Sequence, residues 1–282
     1  MTMTVRGALT AATARLEMAA QLRQSAARDA MLLLLHAAGI SRAELHADPA
    51  RALTDEEQRT YEAFVQRRMR HEPIQYIVGE QEFYGLALRV GPAVLIPRPE
   101  TEHLVEAVLA EMDGVARPRI VDVGTGSGAI AIALAVNLPQ AEMVAADLSR
   151  EALQVARENA ARHGVAERIR FVESDLMDRV EGEFDALVSN PPYVASGDRE
   201  MLHPEVREYE PATALFAGSE GLAIYRRLIP QAASALKQDG LLAMEIGLGQ
   251  DAALAELLVG WTAVRFVKDL QGIPRVVVAR RA

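Results

Sequence analysis

The sequence predicts an α/β protein: a mainly parallel seven-stranded sheet covered by helices, preceded by a small helical bundle and a β-hairpin linker. Three observations carry this. From about Arg98 onward, short apolar runs alternate with helical stretches, the pattern of β-α-β units whose sheet is covered on both faces. The first of those runs, Ile120-Val-Asp-Val123, passes straight into the glycine turn Gly124-Thr-Gly-Ser-Gly128. The first 73 residues, by contrast, hold apolar side chains at helical spacing.

Within residues 1–73 the spacing is helical around Leu9, Leu16 and Met18 and again through Met31 to Ala38. Ser41 with Glu44 and Thr54 with Glu57 have the form of capping boxes, the second opening a helix through Val65 to about Arg70. Pro73 is expected to end this region. The cluster Arg67, Arg68 and Arg70 reads as favourable charge at a helix C-terminus. In residues 74–97, Ile77, Phe83, Leu86, Leu88, Val90 and Val94 stand among Gly79, Gly85, Gly91 and Pro92, the signature of short strands and tight turns. This segment is expected to be a hairpin linker. In residues 98–282, strands are expected at 119–123, 142–147, 168–173, 184–189, 240–246, 262–268 and 275–281. Helices are expected at 100–113, 127–137, 149–163, 220–236 and 250–258, and residues 194–219 read as a long loop. Asp269 to Pro274 is too short for a parallel crossover, so the last two strands are expected to be antiparallel.

Composition narrows the function. The chain has no Cys, which removes disulfides, thiolate metal sites and a thiol nucleophile. The N-terminus has no continuous apolar stretch of a secretory signal, and no run approaches a membrane span. A cytoplasmic protein without membrane contact is expected. Residues 1–80 carry no net charge and the remainder carries the whole −9, so direct binding to the phosphates of a nucleic acid is not expected.

Gly124, Thr125, Gly126, Ser127 and Gly128 let the backbone turn sharply between a strand and a helix, and Asp147 ends the next strand about 20 residues on. A carboxylate there can accept both hydroxyls of a ribose, so a nucleoside cofactor is expected. The loop does not choose which one: Gly124, Gly126 and Ala129 also fit the dinucleotide pattern.

Asn190-Pro-Pro-Tyr193 follows the apolar strand 184–189 directly. Pro191 and Pro192 stiffen the turn and offer carbonyls, Asn190 adds a side-chain carbonyl, and Tyr193 adds an aromatic face. Two fixed acceptors suit a planar NH₂ group, and hydrogen bonds to both of its protons raise electron density on a poorly nucleophilic nitrogen. Transfer of a methyl group from a sulfonium to that nitrogen needs positioning and no metal.

At this point the residues resemble the release-factor glutamine methyltransferases, the HemK/PrmC family, over about Glu72 to Ala282. The shared stretches are Pro73-Ile-Gln-Tyr-Ile77, Val94-Leu-Ile-Pro-Arg-Pro-Glu-Thr-Glu102, Asp122-Val-Gly-Thr-Gly-Ser-Gly128, Asp147-Leu-Ser149 and Asn190-Pro-Pro-Tyr193. They continue with Tyr209-Glu-Pro-Ala-Thr-Ala-Leu215, Glu245-Ile-Gly247 and Asp269-Leu-Gln-Gly272 with Arg275. The resemblance implies a Rossmann-like S-adenosylmethionine-dependent domain at 98–282 and a substrate-recognition bundle at 1–73. It implies methylation, at the side-chain amide nitrogen, of the glutamine in the Gly-Gly-Gln motif of class-1 release factors, in support of translation termination. S-adenosyl-L-homocysteine would be the other product. By the same resemblance Gly124 to Gly128, Asp147, Leu148, Asp175, Leu176 and Asn190 would line the cofactor, and Asn190, Pro191, Pro192 and Tyr193 would hold the glutamine, with Asn190 and Pro191 catalytic. Leu176 departs from relatives that carry an aromatic residue there. The alternatives at this stage are an adenine amino-group methyltransferase using the same pocket, a nicotinamide dehydrogenase built on the glycine loop, and a binding module that has lost catalysis.

Overall fold

The structure is a computed structural model that describes residues 3–282. Helices α1 (Val5–Glu17), α2 (Ala26–Ala38), α3 (Arg42–Ala47), α4 (Asp55–Met69) and α5 (Ile74–Val78) come first, followed by strands β1 (Glu80–Phe83) and β2 (Leu86–Arg89). Then come α6 (Glu102–Glu111), β3 (Arg119–Val123), α7 (Ala129–Asn137), β4 (Glu142–Asp147), α8 (Arg150–Arg162), β5 (Ile169–Glu173) and β6 (Phe184–Ser189). The chain ends with α9 (Pro204–Tyr209), α10 (Ala223–Ala235), β7 (Leu236–Glu245), α11 (Asp251–Leu257), β8 (Thr262–Lys268) and β9 (Pro274–Arg280). It divides into two compact units. One runs to Gly79 and takes in Pro204–Tyr209; the other comprises Glu80–His203 and Glu210–Ala282. Among the described residues no helix is long and apolar enough to cross a membrane.

The helical unit packs Leu16, Leu22, Leu33, Leu34, Tyr61 and Val65 into one core. Both expected capping boxes form: Ser41 and Thr54 each accept from the backbone N–H three residues on, and Glu44 and Glu57 each accept from the cap's own N–H. One expectation is corrected here and one is extended. Residues 74–78 form helix α5 and not a strand, with Pro73 at its N-cap and Gly79 at φ +81° closing it. A proline loses nothing at a helix start, where its N–H would be unpaired, and the spacing of Ile74 and Ile77 places both in the helical core. Arg68, read as favourable charge at a helix end, lies in the last turn of α4 and is also buried. Its Nε donates to Asp29 Oδ2 (2.8 Å), its Nη2 to Glu205 Oε1 (2.6 Å) and its Nη1 to the Glu72 carbonyl (2.9 Å). Glu205 belongs to α9, a helix within residues read as loop, and Tyr209 at its end donates to the Arg70 carbonyl (2.7 Å).

The second unit is a seven-stranded sheet in the order β5-β4-β3-β6-β7-β9-β8. The first five are parallel, and β9 runs antiparallel to both β7 and β8, as the short last connection requires. Each face has its own core. Leu104, Val108, Ile130 and Leu134 cover one side, and Tyr225, Leu228, Ile229 and Leu254 the other. Strand positions follow the expected runs closely. Helix 100–113 instead opens with a tight 3₁₀ turn, Pro99–Thr101, and β7 begins at Leu236, inside the expected helix. The hairpin β1–β2 turns on Tyr84 (φ +51°) and Gly85 (φ +73°), a two-residue turn whose hand matches the strand twist.

The parallel strands end together at Val123, Asp147, Glu173, Ser189 and Glu245. From β3 the sheet continues to β4 on one side and β6 on the other, which is the switch point where open α/β sheets leave a crevice beyond their carboxyl ends.

Candidate active site

The glycine loop leaves β3 at this crevice. Gly124 and Thr125 donate their N–H groups to the Ala146 carbonyl (2.8 and 3.0 Å), which ties the loop to the end of β4. Gly126 donates to Asp147 Oδ2 (2.8 Å) and Ser149 to Asp147 Oδ1 (2.9 Å). The Asp147 carboxylate is thus held by two backbone donors, and each oxygen keeps a further lone pair for a ligand. The glycines serve two different needs. Gly124 (φ +75°) and Gly126 (φ +54°) are left-handed and face open space, where a ligand can approach the backbone. At Gly128 (φ +83°) a Cβ would come within 2.9 Å of Ile132 Cδ1 and 3.1 Å of Ala156 Cβ, so the requirement there is also one of packing.

Behind the loop, Thr125 Oγ1 and the Ala131 N–H donate to Asp122 Oδ2 (2.6 and 3.2 Å). Asp122 Oδ1 is buried without a hydrogen bond. Asn159, fully buried in α8, donates to the Ser127 carbonyl (2.9 Å) and exchanges two hydrogen bonds with the Arg89 backbone (2.7 and 3.0 Å). The hairpin and the glycine loop are therefore fixed to one side chain. Ser174 donates to the Asp147 carbonyl (2.9 Å), which brings the Asp175–Leu176 turn to the same sheet end. Asp175 pairs with Arg227 (2.7 Å), Leu176 sits at φ +50° against the core, and Leu148 is 63% exposed.

The Asn190–Tyr193 turn leaves β6, the neighbour of β3. Ser189 Oγ donates to the Val123 carbonyl (2.6 Å) and joins the two strand ends. Pro191 is buried, and Asn190, Pro192 and Tyr193 are half-buried. Asn190 Nδ2 donates to Thr101 Oγ1 (3.1 Å), Thr101 Oγ1 to Glu245 Oε2 (2.5 Å), and Tyr193 OH to Glu245 Oε1 (3.3 Å). Gln250 donates to the carbonyls of Tyr193 (3.1 Å) and Gly221 (3.3 Å) while its Oε1 accepts from Gly247, which closes the far side of the turn.

Family models match the two parts of the chain: the PrmC N-terminal domain at residues 7–79 and the methyltransferase small domain at residues 100–206. The chain is 43% identical to the release factor glutamine methyltransferase of Deinococcus radiodurans over 284 residues, covering 99% of each chain. It belongs to the release factor glutamine methyltransferase family. The enzyme of the same name from Koribacter versatilis is 46% identical over 254 residues, with 89% of this chain and 90% of that one covered. Among solved structures, the hMettl16 catalytic domain in complex with a 3'UTR hairpin aligns with a TM-score of 0.59 at 18% identity, over 83% of this chain and 85% of that one. A methyltransferase from Pyrococcus furiosus aligns with a TM-score of 0.51 at 18% identity, over 70% of this chain and 90% of that one. At such identities these two speak for the fold alone, and they agree on a methyltransferase sheet.

For a release factor glutamine methyltransferase, the residues expected from sequence gather at one sheet end, and the structure adds others. Thr101 and Glu245 lie inside stretches the resemblance had marked, yet sequence reasoning gave neither a role. Asp122 was read as part of an apolar strand and of the shared glycine-loop stretch, with no role of its own. Glu210, read as a loop residue, is buried and accepts from Arg98 (2.5 Å).

Burial sets the acidity of these groups. It pushes the Glu245 carboxyl up to about 7 against the hydrogen bonds from Thr101 and Tyr193. It likewise pushes Asp122 up to about 7 against those from Thr125 and Ala131, and raises Asp147 against its backbone donors. A carboxyl whose folded pKa is raised keeps a proton that the unfolded chain releases. Its contribution to stability is complete below about pH 4 and is lost as pH rises through about 7. Wild-type protein is therefore expected to lose stability between pH 5 and 8. Glu245→Gln should lose less, the difference at pH 8 reaching at most about 3 kcal/mol. Urea unfolding at the two pH values checks this; parallel pH dependences in the two proteins would contradict it.

Proposed function

We propose that this chain transfers a methyl group from S-adenosyl-L-methionine to the side-chain amide nitrogen of a glutamine in a class-1 release factor, the glutamine of its Gly-Gly-Gln motif. The observation that carries the reading is the Asn190 amide. Its NH₂ is bound to Thr101, which leaves Oδ1 as an acceptor in the turn that also carries the Pro191 carbonyl, on the strand next to the glycine loop. Relatives 43–46% identical over nearly the whole chain bear the name of that activity.

The loop fits the cofactor. Open left-handed glycines admit a ligand to the backbone, and the Asp147 carboxylate, held from below, has lone pairs for two adjacent ribose hydroxyls. Leu148, Asp175 and Leu176 would flank the adenine. When bound, the cofactor supplies an electrophilic methyl group on a sulfonium. The chain's own residues do the rest. Asn190 Oδ1 and the Pro191 carbonyl accept the two amide protons, hold the nitrogen lone pair toward the methyl and stabilise the positive charge that grows on nitrogen. Tyr193 and Pro192 wall the planar group. No base is needed before attack, because the nitrogen releases its proton after it becomes cationic. We assign the protein-recognition role to the helical unit, whose residues 1–79 and 204–209 together carry no net charge and so do not favour a polyanion.

The deciding experiment is mass spectrometry of a release factor after incubation with enzyme and S-adenosylmethionine. One added methyl on the Gly-Gly-Gln peptide is expected; an unmodified factor at full cofactor occupancy would overturn the reading. Asp147→Ala is expected to weaken S-adenosylhomocysteine binding by about 1–3 kcal/mol, since the ribose loses its acceptor. Calorimetry showing unchanged affinity would remove the assignment.

A further inference from the structure

A primary amide has two faces, and only its carbonyl can accept a proton from a substrate amide. Asn190 does its proposed work only if something prevents it from turning its NH₂ toward the crevice. We propose that Glu245 acts through Thr101 as a positioning residue, fixing the direction of the hydrogen-bond chain so that Asn190 presents Oδ1 to the methyl acceptor. The proposal rests on the amide-acceptor reading above.

The number of protons on the chain decides its direction. Thr101 Oγ1 has one proton and lies 2.5 Å from Glu245 Oε2 and 3.1 Å from Asn190 Nδ2. An ionised carboxylate can only accept, so it claims the Thr101 proton. The hydroxyl then has only lone pairs to offer Asn190, and the amide must turn its NH₂ inward. If Glu245 instead carries a proton, it can donate to Thr101, whose own proton is then free for Asn190 Oδ1, and the amide turns over. The other carboxylate oxygen accepts from Tyr193 OH (3.3 Å), so the same group also sets the aromatic wall of the turn. The Glu245 backbone is itself anchored, its carbonyl accepting from Tyr225 OH (2.9 Å) in α10. Glu245 is only 2% exposed, so water does not compete for these bonds.

The groups around Glu245 come from every element that packs on it. They are Thr101 and Glu100 from the 3₁₀ turn, Tyr193 from the acceptor turn with Arg98 acting on it, Tyr225 from α10 and Arg275 from β9, itself paired to Asp269. Burial outweighs the attraction of Arg275 and brings the carboxyl to about 7, so both directions of the chain are populated near neutrality. Turnover should rise with pH across that value.

The test measures kcat against pH with release factor at saturating S-adenosylmethionine. Saturation keeps the Asp122 carboxyl beneath the cofactor loop from entering through cofactor affinity. Wild type is expected to show a limb near 7. Glu245→Gln and the isosteric Thr101→Val should lose the limb and about 10–100-fold in kcat, with S-adenosylhomocysteine affinity unchanged. Thr101→Ser, which restores the hydroxyl, should recover both rate and limb. If Glu245→Gln does not fold, Thr101→Val carries the test. Wild-type kcat and an intact limb in Thr101→Val would overturn the proposal. Asn190→Ala separates the two levels: an active Asn190→Ala removes the amide-acceptor reading itself. An inactive Asn190→Ala beside a fully active Thr101→Val removes the positioning role alone.

Discussion

Asn190→Ala is expected to lose about 10²–10³-fold in kcat, the usual result of removing one well-placed transition-state hydrogen bond. The fold should change little. The side chain is half-buried at the end of β6 and bonds Thr101 Oγ1, and no core packing depends on it. Asn190→Asp is the sharper variant. It places a second carboxylate on the Thr101 hydroxyl that Glu245 already holds at 2.5 Å. Two acids on one proton cannot both ionise easily, so one keeps a proton into the neutral range. When the introduced carboxyl is protonated, its OH can donate to Thr101 and its carbonyl can face the substrate, the arrangement that the wild-type amide provides. The residual activity of Asn190→Asp should therefore rise as pH falls toward 7, opposite to the wild-type trend. Parallel pH profiles of the two enzymes, or a near wild-type kcat for Asn190→Ala, would contradict the acceptor role.

How far the sequence could be read depended on the range of the interaction. The central parallel strands β3, β4 and β6 were legible because they are almost wholly buried and read as near-continuous apolar runs. The glycine loop and the acceptor turn were legible because both act through backbone that their own residues shape, positive φ in one and proline stiffness in the other. Thr101 and Glu245 were not, because their contact joins positions 144 residues apart and neither residue type is unusual at its place. The Arg67–Arg70 cluster does lie at the C-terminus of α4, but its long-range partners were out of reach for the same reason. Local helix electrostatics describes Arg67, which pairs with Glu72 five residues away. Arg68 finds Asp29 at a separation of 39 residues and Glu205 at 137. Helix α5 was missed because Pro73 signals a helix end as readily as a start, and only packing of Ile74 and Ile77 on the bundle decides between them.

Arg68→Met is accordingly expected to destabilise the helical unit by about 3–5 kcal/mol, although the sequence reading gave this residue only a favourable charge at a helix end. Its guanidinium is the buried partner of Asp29, whose side chain is fully buried and whose Oδ2 also accepts from Ser25 Oγ (2.8 Å). Removing Arg68 leaves that buried charge facing only the exposed Arg28, 3.5 Å from Oδ1. Removing both members costs less, because the desolvation that the pair had to overcome disappears with it. Arg68→Met with Asp29→Leu should therefore be markedly more stable than Arg68→Met alone, and a double-mutant cycle should give a coupling above about 2 kcal/mol. Glu205→Ala should cost only about 1 kcal/mol, since Glu205 stands at the partly exposed rim of the cluster. The single Trp, Trp261, lies in the other unit, so its fluorescence would not follow this loss. Far-ultraviolet circular dichroism during urea unfolding would, as would hydrogen exchange at the amides of α2 and α4. Protection in α2 and α4 that is equal in Arg68→Met and wild type would show that the buried pair does not hold the bundle together.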